Sequence, residues 1–248
     1  MVRVILQGLV MGFFLLLGKA LPRQEQKFFH GDLWINLLTG AGIFLLIAPV
    51  MRWVGEAMTV HLVGLPELPS IIQFVGAFLI LDFCRYWLHF AHHRVPFLWA
   101  FHRVHHSSEH LDATSGLRMH FVDFIQLALL PIILFGVVLD TKGFESWVIP
   151  SALMVGVVFD AFQHANIHFP IEKPLAKLWH KVLNNPHFHI WHHTSMGAEI
   201  DGNYSNTLII WDRIFGTDVT EAHCPATLGL GEGQLKNNPL DLQLLRLR

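Results

Sequence analysis

The stretch "LHFAHHRVPFLWAFHRVHHSSEH", residues 88–110, carries seven histidines in 23 positions. Two further crowds follow: "QHANIH" at 163–168 and "HFHIWHHT" at 187–194. As spacings they read His89-x3-His93, His102-x2-His105-His106, His164-x3-His168 and His189-x2-His192-His193. Residues four apart share a helix face, with Cβ atoms about 5–6 Å apart, which suits two imidazoles closing on one cation. The pairs 89/93, 102/106, 164/168 and 189/193 all meet that rule. Chain neighbours diverge by about 100° around a helix, so His105 and His106, or His192 and His193, are poorly placed to serve one ion. Each HxxHH triplet therefore suits two metal centres better than one, and the expectation is ten imidazoles shared between two ions.

The 248-residue chain around these clusters is 52% hydrophobic and 15% charged, with mean hydropathy +0.43. Soluble domains carry about 25% charged residues, so the deficit points to a membrane. Apolar runs approaching bilayer length, about 20 residues, occupy 4–18, 33–54, 71–88, 124–139 and 147–162. The last two are short and would span with bilayer thinning or sit as a partly inserted hairpin. The expected fold is all-α: an integral membrane bundle of about four to five hydrophobic helices, with a helical cap holding the histidine-rich di-metal site, in one domain over 1–248. Lys19, Arg23 and Lys27 follow the first run, and Arg85, Arg94, Arg103 and Arg118 lie around and after the third. Placing both groups in the cytoplasm, with the 52–69 and 140–146 loops outside, satisfies the positive-inside rule and puts every histidine cluster on the cytoplasmic side. The first run also reads as a secretory signal, with Arg3 and a cleavage-like "GKA". Beyond Pro170 no span is expected, and the tail "KNNPLDLQLLRLR" suits either a helix on the membrane surface or a docking helix.

A net charge of −2 offers no basic field for nucleic acid. Cys84 and Cys224 lie far apart with no CxxC, which argues against a disulfide scaffold and a thiolate zinc site. Imidazole suits Zn, Cu, Fe and Ni alike, so ligand type leaves the metal open. A zinc-dependent membrane hydrolase is one reading, but no HExxH occurs, and the nearest glutamates, Glu109 and Glu199, only flank the clusters. A metal transporter is another, but it should place ionisable residues within its spans. A redox metal handling oxygen beside a lipid fits best, because unactivated C–H bonds yield to such chemistry and not to acid or base. The lone His30, His61 and His223 read as surface or interfacial residues, His110, His180 and His187 as bystanders to the site, and His92 breaks the spacing pattern.

The motifs "DFCRYWLHFAHHRVPFLWAFHRVHHSS" (82–108), "LRMH" (117–120), "QHANI" (163–167), "NPHFHIWHHT" (185–194) and "DGNYSNTLIIWDRIFGT" (201–217) occur in this order. In them the chain resembles the fatty acid hydroxylase and sterol desaturase superfamily, the histidine-rich di-iron oxygenases of membranes. The resemblance covers roughly 70–245, with a motif core at about 70–220. It implies two Fe ions, for which zinc can substitute on isolation, and O2 as co-substrate. The ligands it implies are His89, His93, His102, His105, His106, His164, His168, His189, His192 and His193. It implies hydroxylation of a fatty-acyl, sterol or related lipid, or desaturation at the same site. Electrons would come from a separate reductase, ferredoxin or cytochrome, since neither a fused cytochrome-b5 domain nor a Gly-rich dinucleotide fingerprint is apparent. Ser205 departs from the glycine common after "NY". Metal-bound imidazoles usually donate their second N–H to a carboxylate or carbonyl. Asp82, His120, Asp123, Asp160, Asn166, Asp201, Asn203 and Asp212 are the candidates for such support.

Overall fold

A computed structural model describes residues 2–27, 29–58, 60–195, 201–219, 225, 227–231, 234–235 and 237–247. Glu199, His223 and Cys224 lie outside the described residues. Helices α1 (Val2–Ala20), α2 (Gly31–Leu46), α3 (Ala48–Ala57), α4 (Ser70–Arg94), α6 (Phe121–Ile132) and α7 (Val148–His164) form the apolar bundle. Shorter helices α5 (Pro96–His106), α8 (Pro174–Trp179), α9 (Pro186–His192), α10 (Ile210–Phe215) and α11 (Pro239–Gln243) gather at one end of it. The described residues form no β-sheet, only isolated bridges.

All five apolar runs fall in these helices. Three stretches, Gly31–Ala57, Ser70–Arg94 and Phe121–Val138, are long and apolar enough to cross a membrane; Ile5–Ala20 and Val148–His164 are shorter. Within the three, only 28%, 28% and 11% of the most apolar window is buried by protein. Leu9, Leu16, Leu45, Leu46, Trp53 and Ile71 all point outward. Apolar surface on this scale needs a lipid cover.

Local sequence sets the breaks. Val95 precedes Pro96 and is held extended, so α4 stops and α5 starts at a sharp corner. Pro131 inside α6 removes an N–H, and the helix widens into a π-turn over Ile133–Val138. Asn185 caps α9 by accepting from Phe188 N at 3.1 Å, with Pro186 in the first turn. Gly216, at φ 71°, ends α10 in the left-handed conformation.

Two apolar clusters hold the bundle. Ala77 and Leu81 of α4 meet Val148 and Ala152 of α7 and Phe135 at one end. At the other, Val10, Met11, Phe14 and Leu15 of α1 pack on Ala161, Ala165 and Phe162. The loops around 61–68 and 139–145 meet at the first end, where Gln73 donates to Leu68 O (2.9 Å) and Gly143 O (3.2 Å). α11 docks through buried Leu242, against Val104 and Leu235.

Candidate metal centre

The histidines converge where α4, α5, α7 and α9 meet. His89 and His93 come from the last turns of α4, and His102, His105 and His106 from α5. His164 ends α7, and His189, His192 and His193 lie on or at the end of α9. Nine of the ten expected imidazoles form two groups, His89/His93/His102/His106/His192 and His105/His164/His189/His193. Within each group the ligand nitrogens lie within 4.8 Å of one another. The adjacent pairs divide as their helical angle requires: His105 and His106 go to different groups, as do His192 and His193. The groups abut, with the His106 and His193 rings stacked at 4.5 Å.

His168 is the exception. α7 ends at His164, and Ala165 turns extended (φ −59°, ψ 141°). The four-residue spacing is then no longer a helical one, and His168 sits exposed on the following loop, outside both groups. His168→Ala should therefore leave metal content unchanged, and stability within about 0.5 kcal/mol as for an ordinary surface change. Metal analysis and a melting curve check this, and a lost ion would restore His168 to the ligand set.

Hydrogen bonds fix the tautomers. A carbonyl or carboxylate oxygen only accepts, so the imidazole nitrogen facing it must donate. His89 Nδ1 donates to Tyr204 O (2.7 Å), His192 Nδ1 to Gly202 O (2.8 Å), His93 Nδ1 to Asp201 Oδ1 (3.0 Å) and His102 Nδ1 to Asp123 Oδ2 (3.0 Å). In the second group His105 Nδ1 donates to Arg118 O (3.3 Å) and His164 Nδ1 to Asp160 O (2.7 Å). In a neutral imidazole the opposite Nε2 is then a bare lone pair. Such lone pairs face each other across 3.1 Å, His89 to His102 and His105 to His164. His189 and His193 Nε2 lie 3.0 and 3.2 Å from that of His164. Nε2 of His93, His106 and His192 is buried with no hydrogen-bond partner among the described residues.

Converging lone pairs repel unless a cation sits among them. With metal–nitrogen bonds of about 2.1 Å, neighbouring ligand nitrogens fall about 3 Å apart. The residues therefore fit two bound metal ions. Burial holds the imidazoles in the neutral, metal-binding form: His192 is pushed down to about 3 and His105 to about 4, while His102, His106, His189 and His193 lie well below the ordinary value.

The candidate supports divide into those that touch a ligand imidazole and those that act on its neighbours. Asp123, Asp160 and Asp201 touch one. Asp201, Gly202 and Tyr204 form a single short loop that takes three Nδ1–H groups. Asp212 anchors that loop, accepting from Tyr204 N (2.8 Å) and Ser205 N (2.9 Å). Asn203, at φ 60°, donates to Phe188 O (2.8 Å). Ser205 is fully buried in this turn.

Asp82, His120 and Asn166 do other work. Asp82 accepts from Thr207 N (3.1 Å), Leu208 N (3.1 Å) and Trp211 Nε1 (3.0 Å), fixing the start of α10. His120 caps α6 through Val122 N (3.1 Å), and Asn166 holds Gln24 after α1.

His92, excluded by spacing, is buried beside the centre. Its Nε2 meets Gln126 Oε1 at 2.6 Å, its Nδ1 lies 3.3 Å from Asp123 Oδ1, and its ring is 4.8 Å from that of His102. Its one sequence signal was its place beside His93, turned by a helical step toward α6. Trp99 covers His93 and His106, with ring centres 5.0 and 5.3 Å away. Of the lone histidines, His30 caps α2 through Leu33 N, and His61 meets Leu139 O at 3.3 Å.

The fatty acid hydroxylase family model matches residues 74–217, a span containing all nine converging histidines. An alkylglycerol monooxygenase of Xenopus tropicalis is 37% identical over 154 residues, covering 58% of this chain and 30% of that protein. The human alkylglycerol monooxygenase is 35% identical over 144 residues, 57% of this chain and 29% of that protein. An ornithine lipid hydroxylase of Rhizobium tropici is 32% identical over 191 residues, 75% of this chain and 53% of that protein. The chain thus spans about a third to a half of the length of these relatives. No solved structure matches it.

Proposed function

The chain belongs to the fatty acid hydroxylase family, and from that premise we propose that it is a membrane-bound di-iron oxygenase that hydroxylates an unactivated C–H bond of a lipid. The observation that carries this reading is the convergence of nine imidazole ligands, their lone pairs turned inward, into two abutting groups at the end of an apolar bundle. The relatives' names, alkylglycerol monooxygenase and ornithine lipid hydroxylase, point to lipids of the same chemical kind.

Two iron ions, His89/His93/His102/His106/His192 around one and His105/His164/His189/His193 around the other, would supply the redox chemistry that O2 needs to attack such a bond. The protein's own residues do the rest. Asp123, Asp201 and the Gly202 and Tyr204 carbonyls keep Nδ1 of His102, His93, His192 and His89 protonated and those rings aimed, and the Arg118 and Asp160 carbonyls do the same for His105 and His164. Tyr204 and Trp99 close over the imidazoles and exclude bulk water. The reaction balances as R–H + O2 + 2 e⁻ + 2 H⁺ → R–OH + H2O, with the electrons delivered by a separate protein. Lys19, Arg23 and Lys27 after the first run and Arg85, Arg94, Arg103 and Arg118 around and after the third support, by the positive-inside rule, a metal-bearing end that faces the cytoplasm, where a reductase, ferredoxin or cytochrome would reach it.

The test is a comparison of lipid extracts, with and without the chain, under 18O2. A hydroxylase product gains one labelled oxygen; a desaturase product loses two hydrogens without label. Product formed in the absence of O2 would overturn the oxygenase reading in favour of zinc hydrolysis.

A further inference from the structure

Beside the metal-bearing end, α8 and α10 expose an apolar surface that the metal centre does not use. Leu175, Leu178, Trp179 and Val182 on and after α8 are exposed, as are Ile210, Ile214 and Phe215 on α10. A contiguous exposed apolar patch rimmed by polar residues marks an interaction or membrane surface. Lys173, Lys177 and Lys181 are exposed along the same segment.

The two faces are joined. Arg213 of α10 donates to His180 O (3.0 Å) and to Lys181 O, and Ile209 N donates to Val182 O (3.0 Å). The surface also runs into the lipid-facing bundle at both ends. Trp179 stacks on Phe159 (6.2 Å) and meets Phe162 (6.0 Å), in the last turns of α7. Phe215 packs on Trp87 (4.8 Å) and Phe83 (6.3 Å) of α4. These contacts fix its depth at the edge of the apolar zone, where amphipathic Trp prefers to sit. The Trp179 indole N–H is satisfied by Asn184 O at 3.1 Å, leaving its ring for lipid.

We propose that α8 and α10 form one shelf lying in the headgroup layer of the bilayer that the bundle spans, with Leu175, Leu178, Val182, Ile210 and Ile214 inserted among acyl chains and Lys173, Lys177 and Lys181 on anionic headgroups. The occupant is a lipid surface because the shelf is continuous with the lipid-facing helices and its exposed segment is basic on balance, with Lys173, Lys177 and Lys181 against Glu172. The shelf fixes the height of α9, which follows α8 directly, and so the height of His189, His192 and His193 above the membrane. This inference rests on the bundle crossing a membrane and not on the reaction proposed.

The test uses the full chain in nanodiscs, with Cys84→Ala and Cys224→Ala as background. Single spin labels at Leu175→Cys, Leu178→Cys and Ile214→Cys are compared with one at Lys177→Cys for collision with O2 and with a water-soluble nickel chelate. The expected result is O2 collision exceeding nickel collision several-fold at the three apolar sites, and the reverse at Lys177. Nickel collision dominating at all four would overturn the proposal. So would protection from both probes together with dipolar broadening between labels, which would assign the face to a second copy of the chain. In Lys173→Glu/Lys177→Glu/Lys181→Glu, the Leu175 label should move toward water in anionic nanodiscs and stay in place in zwitterionic ones. An unchanged depth in both would remove the anionic-lipid part.

Discussion

His193→Ala should lower bound metal by about one ion of two and reduce the oxygenated lipid product to background. His193 is one of four imidazoles in its group among the described residues, all buried, and Nε2 lies 3.2 Å from that of His164 and 3.1 Å from that of His189. Removing it leaves three donors and a hole that alanine does not fill. Losing a support that only touches a ligand costs about 10–100-fold in affinity or activity, and losing the ligand costs more. His106→Ala should separate the two readouts. Its group keeps four imidazoles, so it retains more metal than His193→Ala, yet the product should still vanish, because His106 stacks directly on His193 between the two groups. Metal per chain by mass spectrometry of the purified protein, beside product per chain, tells the two variants apart. Two ions and full product in either would sink the two-centre assignment.

The division into two groups was legible because it depends only on angles around a helix, and α5 runs through its triplet while α9 reaches His192 and leaves only His193, its C-cap, beyond. His105/His106 and His192/His193 split as the 100° step requires. His168 failed because the same rule was applied across a boundary. Nothing in "QHANIH" marks the end of α7 at His164 except the loss of helix formers after Ala165, with Pro170 two residues beyond His168. Asp82 failed differently. It shares a face with His89, but two turns separate them by about 10 Å, and its carboxylate turns instead to α10. A face shared in sequence fixes direction and leaves reach open. The 201–204 loop was visible only as a motif, since two of its three acceptors, Gly202 O and Tyr204 O, are backbone atoms that no residue type announces. His92 was missed because its partners, Asp123 and Gln126, come from a helix that spacing within α4 cannot see. The spans were plain from composition, because lipid-facing residues need no partner, and the longest of them, 33–54, needed only a few residues added at each end to reach Gly31–Ala57.

Arg118→Ala should destabilise the protein by about 3–5 kcal/mol, the usual cost of removing one partner from a buried ion pair. The Arg118 side chain is fully enclosed. It donates from Nε to Ser107 Oγ (2.9 Å), from Nη1 to Asp32 Oδ1 (3.1 Å), and from Nη2 to Ser107 O (3.2 Å) and Asn237 Oδ1 (2.7 Å). It therefore ties the start of α2, the end of α5 and the C-terminal segment into one knot. Without it Asp32 keeps, among the described residues, the donors Asn237 Nδ2 (3.2 Å) and His110 N and Nδ1 (3.1 Å each). A buried carboxylate with such partners is poorly stabilised. The loss should be felt at the metal centre as well, because the Arg118 carbonyl receives His105 Nδ1, and a loosened 107–120 loop no longer fixes that ring. Pairing the change with Asp32→Asn removes the stranded charge, so the double variant should melt above Arg118→Ala despite carrying one more substitution. Equal melting of the two, measured in detergent at matched metal loading, would show that the arginine acts by filling space and not by balancing Asp32.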